Sequence, residues 1–372
     1  MTPRVIVVGA GAIGCALADE LTRRSAAVTI IDAAVPLSGA SAATFAWVNA
    51  YDKSPTTYRD LNLRGIDAHS RRSQRMQDDI RWFHQTGTLQ LARTDTDFAA
   101  LHEQIKRHQE WGIAVRPLTR TDVMNIEPRL SSTATLGGAL FPDEGWIDVE
   151  TMCNHFLGRA QAAGAAFHPF QTVIDIDIRN ATVTTRSTDG DVHRHEGDVV
   201  VLAAGNGTRD ILAAAEIELP ITDPGAKDSL GIICTTGSVP RGITHVLRAS
   251  GIALRPSRNA GITLTDHPTG AVWDVDDPQI WTVPGLLMQR ARSLYPFLRD
   301  VSIESISLGR RVLPNDGLTI ADWVGRDSSV YAVATHSGIT LSSYLAEAVT
   351  SEILLGTRDH SLREFGMDRF AP

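Results

Sequence analysis

Cysteine is scarce: the chain of 372 residues has three, Cys15, Cys153 and Cys234. They form no CxxC pair, which excludes a disulfide framework and a structural zinc site, and no metal site is expected. Lysine is nearly missing, at Lys53, Lys106 and Lys227 only, so arginine carries the basic charge. Acidic residues still outnumber basic ones, 43 to 35, for a net charge of −8. That balance speaks against nucleic acid or an anionic membrane as the main partner. No apolar run approaches the roughly 20 residues that a membrane span needs, and no internal repeat is present. What remains is an ordinary globular composition, 43% apolar, with enough length for about two domains.

The first apolar stretch, residues 5–18, follows Arg4 and imitates a secretion signal. Its glycine spacing gives a better explanation, and a cytoplasmic protein is expected. Val5-Ile6-Val7-Val8 reads as a buried strand, residues 10–24 as a helix, and Val28-Thr29-Ile30-Ile31 as a second buried strand. A long helix is predicted over residues 57–86, with Leu61, Leu63, Ile66, Met76, Ile80 and Phe83 as its buried face and Gly87 as its stop. Residues 173–195 read as an antiparallel meander turned at Asn180 and Asp189-Gly190. Residues 199–202 and 330–334 are further buried strands, and residues 341–355 form a terminal helix.

Gly9-Ala10-Gly11-Ala12-Ile13-Gly14 is a GxGxxG run between strand and helix. Gly9 permits the tight turn, Gly11 lets a pyrophosphate approach the backbone, and Gly14 lets helix and strand pack closely. The helix start supplies N–H donors and a partial positive charge. Asp32 closes the second strand, eighteen residues after Gly14, where a carboxylate binds ribose hydroxyls and repels a 2′-phosphate. Dinucleotide binding follows. A nicotinamide enzyme would continue with alternating strands and helices. This chain turns instead to a long helix, a meander and a late strand ending at Ala203-Ala204-Gly205. Its last strand and helix are joined by Thr335-His336-Ser337-Gly338-Ile339-Thr340, so the final helix would aim free N–H groups at a bound flavin.

These segments resemble the D-amino acid oxidase superfamily of FAD-dependent oxidoreductases, which includes glycine oxidase, sarcosine oxidase and D-amino acid dehydrogenase. The resemblance is carried by residues 7–14 with Asp32, by Ser38-Gly39-Ala40-Ser41 onward to Asn49, and by residues 198–205, 309–317 and 333–341. It implies that Ser38, Gly39, Ala40 and Ser41 line the pyrophosphate and ribityl chain. Thr44 and Asn49 would lie near the isoalloxazine ring, and Val173 would meet the adenine through its backbone. Ala203, Ala204 and Gly205 would pack near the adenosine and phosphates. Gly338, Ile339 and Thr340 would bond the pyrimidine end of the flavin. Ala12, Ile13, Ala33, Arg311 and Ser337 complete the implied cofactor set. No cysteine matches a flavin-linking position of the family, so FAD is expected to be non-covalent.

The same resemblance implies that Arg311 clamps a substrate carboxylate, a planar two-point task that suits a guanidinium. Val312 stands where the family has proline, and Arg310 is the alternative. His336 would tune the flavin or accept a proton from a substrate ammonium; a simple helix-capping role is the other reading. Lys53 would favour oxygen reduction as a cation beside the flavin, or be a solvated loop residue. Lys227 has a weaker case of the same kind. Glu127-Pro128 reads as structural, and Tyr51, Tyr58, Trp273 and Tyr331 as possible pocket walls.

The expected fold is α/β: a FAD-binding, two-dinucleotide-binding (Rossmann-like) domain over residues 1–85, 145–215 and 305–372. A substrate domain with a mixed, mostly antiparallel sheet is expected over residues 86–144 and 216–304. The expected activity is oxidation of the C–N bond of a small amino acid or amine to an imine, with hydride transfer to flavin N5. A flavin monooxygenase or desaturase of specialised metabolism is the alternative, and no second nucleotide motif supports it.

Overall fold

The computed structural model describes residues 2–74, 80–239, 242–266, 274, 276–325 and 327–371. Met76 and Trp273 lie outside the described residues.

The all-apolar strands build a six-stranded sheet in the order Ile320–Trp323, Val330–Ala334, Val199–Leu202, Arg4–Val8, Ala27–Ile31, Ala166–His168. All its pairs are parallel except the Ile320–Trp323 and Val330–Ala334 hairpin. Its central strand is covered on both faces. Val5 and Val7 pack with the helices Ala12–Arg23, Val149–Ala162 and Gly338–Leu355. Ile6 and Val8 pack on the opposite side with Ile176 and Val183 of the meander. That double burial explains a continuous apolar run rather than an alternating one. The meander itself is present as Gln171–Asp177, Thr182–Ser187 and Val192–Glu196, antiparallel throughout.

The long helix expected over residues 57–86 is shorter, Thr56–Gln74. Its apolar stripe lapses after Ile66 and Ala68, where Arg71, Arg72, Ser73 and Gln74 follow. Ile80 is 38% exposed, and Phe83 belongs to a short strand paired with Gly145–Ile147. The helix crosses Gly338–Leu355 at Gly65, where a Cβ would overlap the carbonyl oxygen of Thr340. Close approach there demands glycine.

A second sheet has eight strands in the order Ile303–Arg310, Leu230–Thr236, Ile262–Thr265, Ile252–Pro256, Val246–Ala249, Thr88–Ala92, Gly137–Phe141, Arg116–Thr119. Every pair is antiparallel except Val246–Ala249 with Thr88–Ala92. The expected boundary at residue 305 falls inside the strand Ile303–Arg310. Helix Val283–Leu294 packs into the core of this sheet through Leu287, Met288, Ala291 and Leu294. Among the described residues no helix is long and apolar enough to cross a membrane.

Candidate functional site

The glycine loop divides by what each glycine touches. Gly9 has φ +106°, and a Cβ on it would press on the carbonyl of Ala203. A Cβ on Gly14 would overlap the carbonyl oxygen of Gly9. Both are required by the packing of strand and helix. Gly11 is different: the nearest atom to a Cβ there is the Ser41 Oγ at 3.1 Å, and its bare side faces a cleft. The Ser41 hydroxyl also accepts from the Ala12 N–H at 3.1 Å, so the segment after Ser38 is tied to the start of the first helix. Asp32 braces the loop as well. One carboxylate oxygen accepts from Ala10 N at 2.6 Å and the other from Ala34 N at 2.9 Å. Each oxygen keeps a second lone pair for a ribose hydroxyl.

The cleft holds about 710 Å³ and runs between the two sheets. All expected cofactor residues line it except Gly14, which packs beneath the loop. Asp32, Ala33 and Val173 stand at one end, with Asp175 and Asp210. Thr44, Asn49 and the 335–340 loop stand at the other, where Lys53, His336, Arg310 and Arg311 also line the wall. Among the described lining residues the only carboxylates are Asp32, Asp175 and Asp210.

The terminal helix Gly338–Leu355 starts at this second end. Its first internal bond runs from Leu341 N to Ser337 O, so the N–H groups of Gly338, Ile339 and Thr340 have no acceptor within the helix. The Ser337 hydroxyl makes no cap bond. It bonds the Tyr58 hydroxyl at 2.8 Å and accepts from Lys53 Nζ at 3.1 Å. Lys53 is therefore not the solvated loop residue that its neighbourhood in sequence suggests. It is half-buried, and burial lowers its ammonium from the usual lysine range to about 8. The Thr340 side chain is engaged by the protein, accepting from Asn49 N at 3.3 Å. His69 anchors the same turn, with Nε2 2.8 Å from the Ile339 carbonyl oxygen.

Arg311 is half-buried, and its guanidinium lies over Gly231, where a Cβ would be 3.5 Å from Nε and Nη2. Burial pulls its pKa below the ordinary arginine value. Arg310 also reaches the cleft, and its Nη1 is buried with no hydrogen-bond partner among the described residues. His336 is exposed at the wall of the cleft. Of the aromatic candidates, Tyr51 lines the cleft, whereas Tyr58 and Tyr331 do not. Tyr331 is a core residue whose hydroxyl donates to Glu352. Lys227 pairs with Asp274 at 3.3 Å, outside the cleft. Glu127 is structural, accepting from Thr244 N, His245 N and His245 Nδ1, and from the Tyr295 hydroxyl.

Two residues of the site carry no signal in the sequence. Arg248 lines the cleft with its guanidinium carbon 4.4 Å from the ring centres of both Trp47 and Tyr51. Glu144 is fully buried beside them, accepting from Trp47 Nε1 and Ala50 N, and burial raises its pKa to about 7. Neither belongs to a recognisable motif.

The lining fits FAD. Gly11 leaves backbone bare for a pyrophosphate, Asp32 keeps acceptor capacity for a ribose, and a helix start with unpaired N–H groups meets the far end. The three cysteines are buried, and none lines the cleft. Glycine oxidase of Geobacillus kaustophilus (strain HTA426) is 23% identical over 347 residues, covering 91% of this chain and 89% of that one. An opine oxidase subunit of Agrobacterium tumefaciens (strain Ach5) is 23% identical, covering 98% of this chain and 96% of its own length. The crystal structure of the Geobacillus kaustophilus glycine oxidase superimposes with a TM-score of 0.84 at 21% identity over the whole of both chains. The profile of the DAO family matches residues 4–352, and the chain belongs to this family of FAD-dependent oxidoreductases.

Proposed function

We propose that the protein oxidises the C–N bond of an amino acid or amine to an imine, with FAD held non-covalently. The observation that carries this reading is one continuous cleft. It runs from the phosphate-binding loop at Gly11 to an arginine fork at Arg311 that faces the start of the terminal helix. The relatives named glycine oxidase and opine oxidase support the substrate class. The three free, buried thiols are in keeping with a cytoplasmic location.

When bound, FAD supplies the acceptor for the hydride that leaves the substrate carbon. The protein's own residues do the rest. Arg311 holds the substrate carboxylate in two-point contact, with Arg310 beside it. The N–H groups of Gly338, Ile339 and Thr340 offer fixed donors where negative charge gathers. Lys53 adds a cation at the same end, positioned by Ser337. The carboxylates that line the cleft stand at the opposite end, while Glu144 lies buried behind Trp47 on this side. Positioning and exclusion of water are the main contributions of the chain. The imine is released to hydrolysis.

The test is anaerobic mixing of the holoenzyme with a panel of D- and L-amino acids and simple amines, read by loss of flavin absorbance. Bleaching by members of the panel is the expected result. A flavin that stays oxidised with every amine overturns the reading.

A further inference from the structure

Arg248 is a further arginine in the wall of the cleft. It sits on the strand Val246–Ala249, opposite Ala253 on the next strand, and Ala253 is opposite Thr265. Arg248, Thr265, Ile233, Gly231 and Gly309 all line the cleft, so this face of the eight-stranded sheet is its floor. The guanidinium packs against the rings of both Trp47 and Tyr51, 4.4 Å from each centre, the two centres being 5.5 Å apart. That contact fixes the fork without using its hydrogen-bond donors.

Nη1 of Arg248 is buried and has no hydrogen-bond partner among the described residues, where the side chain also makes no ion pair within 4 Å. Arg72 and Arg310 also leave Nη1 without a hydrogen-bond partner among the described residues, and of the three only Arg248 and Arg310 line the cleft. Arg72 pairs with Glu20, Arg358 with Glu352, and Arg255 donates to the carbonyls of Phe45 and Pro256. Glu144 acts on Arg248 through space, while its oxygens accept from Ala50 N and Trp47 Nε1. An enclosed guanidinium N–H without an acceptor carries a desolvation cost that an incoming anion removes.

Arg311 presents its head at another part of this floor. The Arg311 head lies over Gly231 on the strand Leu230–Thr236. This strand is three places from Val246–Ala249 in the sheet, about 14 Å between strand axes. Two forks based on separate strands of one floor can take two anions. Resting on the amine-oxidising reading above, we propose that the substrate is an amine carrying two carboxylates, one held by Arg311 and the other, remote from the reacting carbon, by Arg248.

The experiment uses the holoenzyme, with R248M and R248K beside the unmodified protein. Aspartate and glutamate of both chiralities and iminodiacetate are compared with glycine, alanine and proline by anaerobic flavin bleaching. A dicarboxylic amine is expected to half-saturate at a concentration about 100-fold below any monocarboxylic one. R248M is expected to abolish that preference by raising the half-saturating concentration of the dicarboxylic amine about 100-fold, with a smaller loss for monocarboxylic amines. R248K keeps the charge, loses the fork, and is expected to recover part of the preference. Equal handling of the two classes by the unmodified enzyme overturns the proposal, as does an equal loss for both in R248M. Calorimetry with malonate, succinate and glutarate against acetate and propionate reads the same selectivity without turnover. If no amine bleaches the flavin, the amine-oxidising reading fails. A diacid preference that needs Arg248 then still upholds the second-anion site, and its absence refutes it. Should R248M not fold, R248K and the diacid selectivity of the unmodified protein decide the matter.

Discussion

Lys53 Nζ lies 3.1 Å from Ser337 Oγ, which joins the loop before the helix Thr56–Gln74 to the start of the terminal helix across 284 residues of sequence. The same hydroxyl meets Tyr58 at 2.8 Å, and the Lys53 ammonium stands 5.5 Å from the centre of the Tyr58 ring. Burial lowers the Lys53 pKa to about 8, against attraction from Glu144 that raises it, with Arg248 adding to the lowering. The cleft therefore loses a positive charge as pH rises through about 8. A spectrophotometric titration of the bound flavin should show a midpoint near that pH, and K53M should remove it. A midpoint that survives K53M assigns the titration to another group. The stability consequence has a definite sign. Between the ordinary lysine value and about 8 the unfolded chain binds a proton that the folded chain refuses, so this residue's contribution to stability falls as pH is lowered through that window.

The glycine loop separates folding from cofactor binding. A Cβ at position 14 would overlap the Gly9 carbonyl oxygen, so G14A should fail to fold or lose about 3 kcal/mol or more. At position 11 only the Ser41 hydroxyl is near, and it can rotate away. G11A should keep the far-ultraviolet spectrum and melting temperature of the apoprotein, yet bind FAD about tenfold or more weakly. Equilibrium dialysis and thermal melts check the pair. Unchanged FAD affinity in G11A would remove the pyrophosphate from that spot.

Glu127 tests the opposite case, a buried acid with no part in the cleft. It accepts four hydrogen bonds, from Thr244 N, His245 N, His245 Nδ1 and the Tyr295 hydroxyl. E127A leaves the buried Tyr295 hydroxyl and the half-buried His245 donors without their acceptor. A loss of about 3–5 kcal/mol in denaturant unfolding is expected, with FAD content unchanged in the protein that folds. Flavin loss at unchanged stability would contradict the structural role.

Local patterns make the first domain legible. The run from Val5 to Val8 is apolar at every position because its sheet is covered on both faces, and the glycines that follow are forced by backbone contacts within the same fifty residues or with Ala203. The second sheet hides its strands. Gly137–Phe141 opens with two glycines, because a Cβ at Gly138 would press on the Gln90 carbonyl, and such a strand shows no alternating apolar signal. Arg248 and Lys53 are hard to read as members of the site for a related reason. Each follows a local pattern typical of solvent-facing residues, and only Trp47, Tyr51 and Ser337, brought from far along the chain, turn those positions into cleft. Apolar spacing carries the helix on to residue 86 because Phe83 falls on its face, whereas Phe83 pairs as a strand with Ile147.

His69 offers a pH test of the terminal helix. Its ring is wholly buried between the Ile339 carbonyl oxygen at Nε2, 2.8 Å, and the Ser343 hydroxyl at Nδ1, 3.1 Å. A neutral imidazole meets both needs, with the proton on Nε2 and the Ser343 hydroxyl donating to Nδ1. Burial, chiefly, and the nearby charge of Arg72 lower the pKa from 6.5 to about 4. The unfolded chain therefore takes up a proton that the folded chain resists, and the stability held above the unfolded pKa drains away as pH falls from about 6.5 towards 4. Two and a half units correspond to about 3 kcal/mol. Denaturant unfolding at pH 7 and pH 4.5 should show most of that loss in the unmodified protein and a shallower slope in H69Q. Because the Ile339 carbonyl belongs to the first turn facing the cleft, FAD release should track the same window. An H69Q slope identical to that of the unmodified protein would place the acid sensitivity in the carboxylates instead.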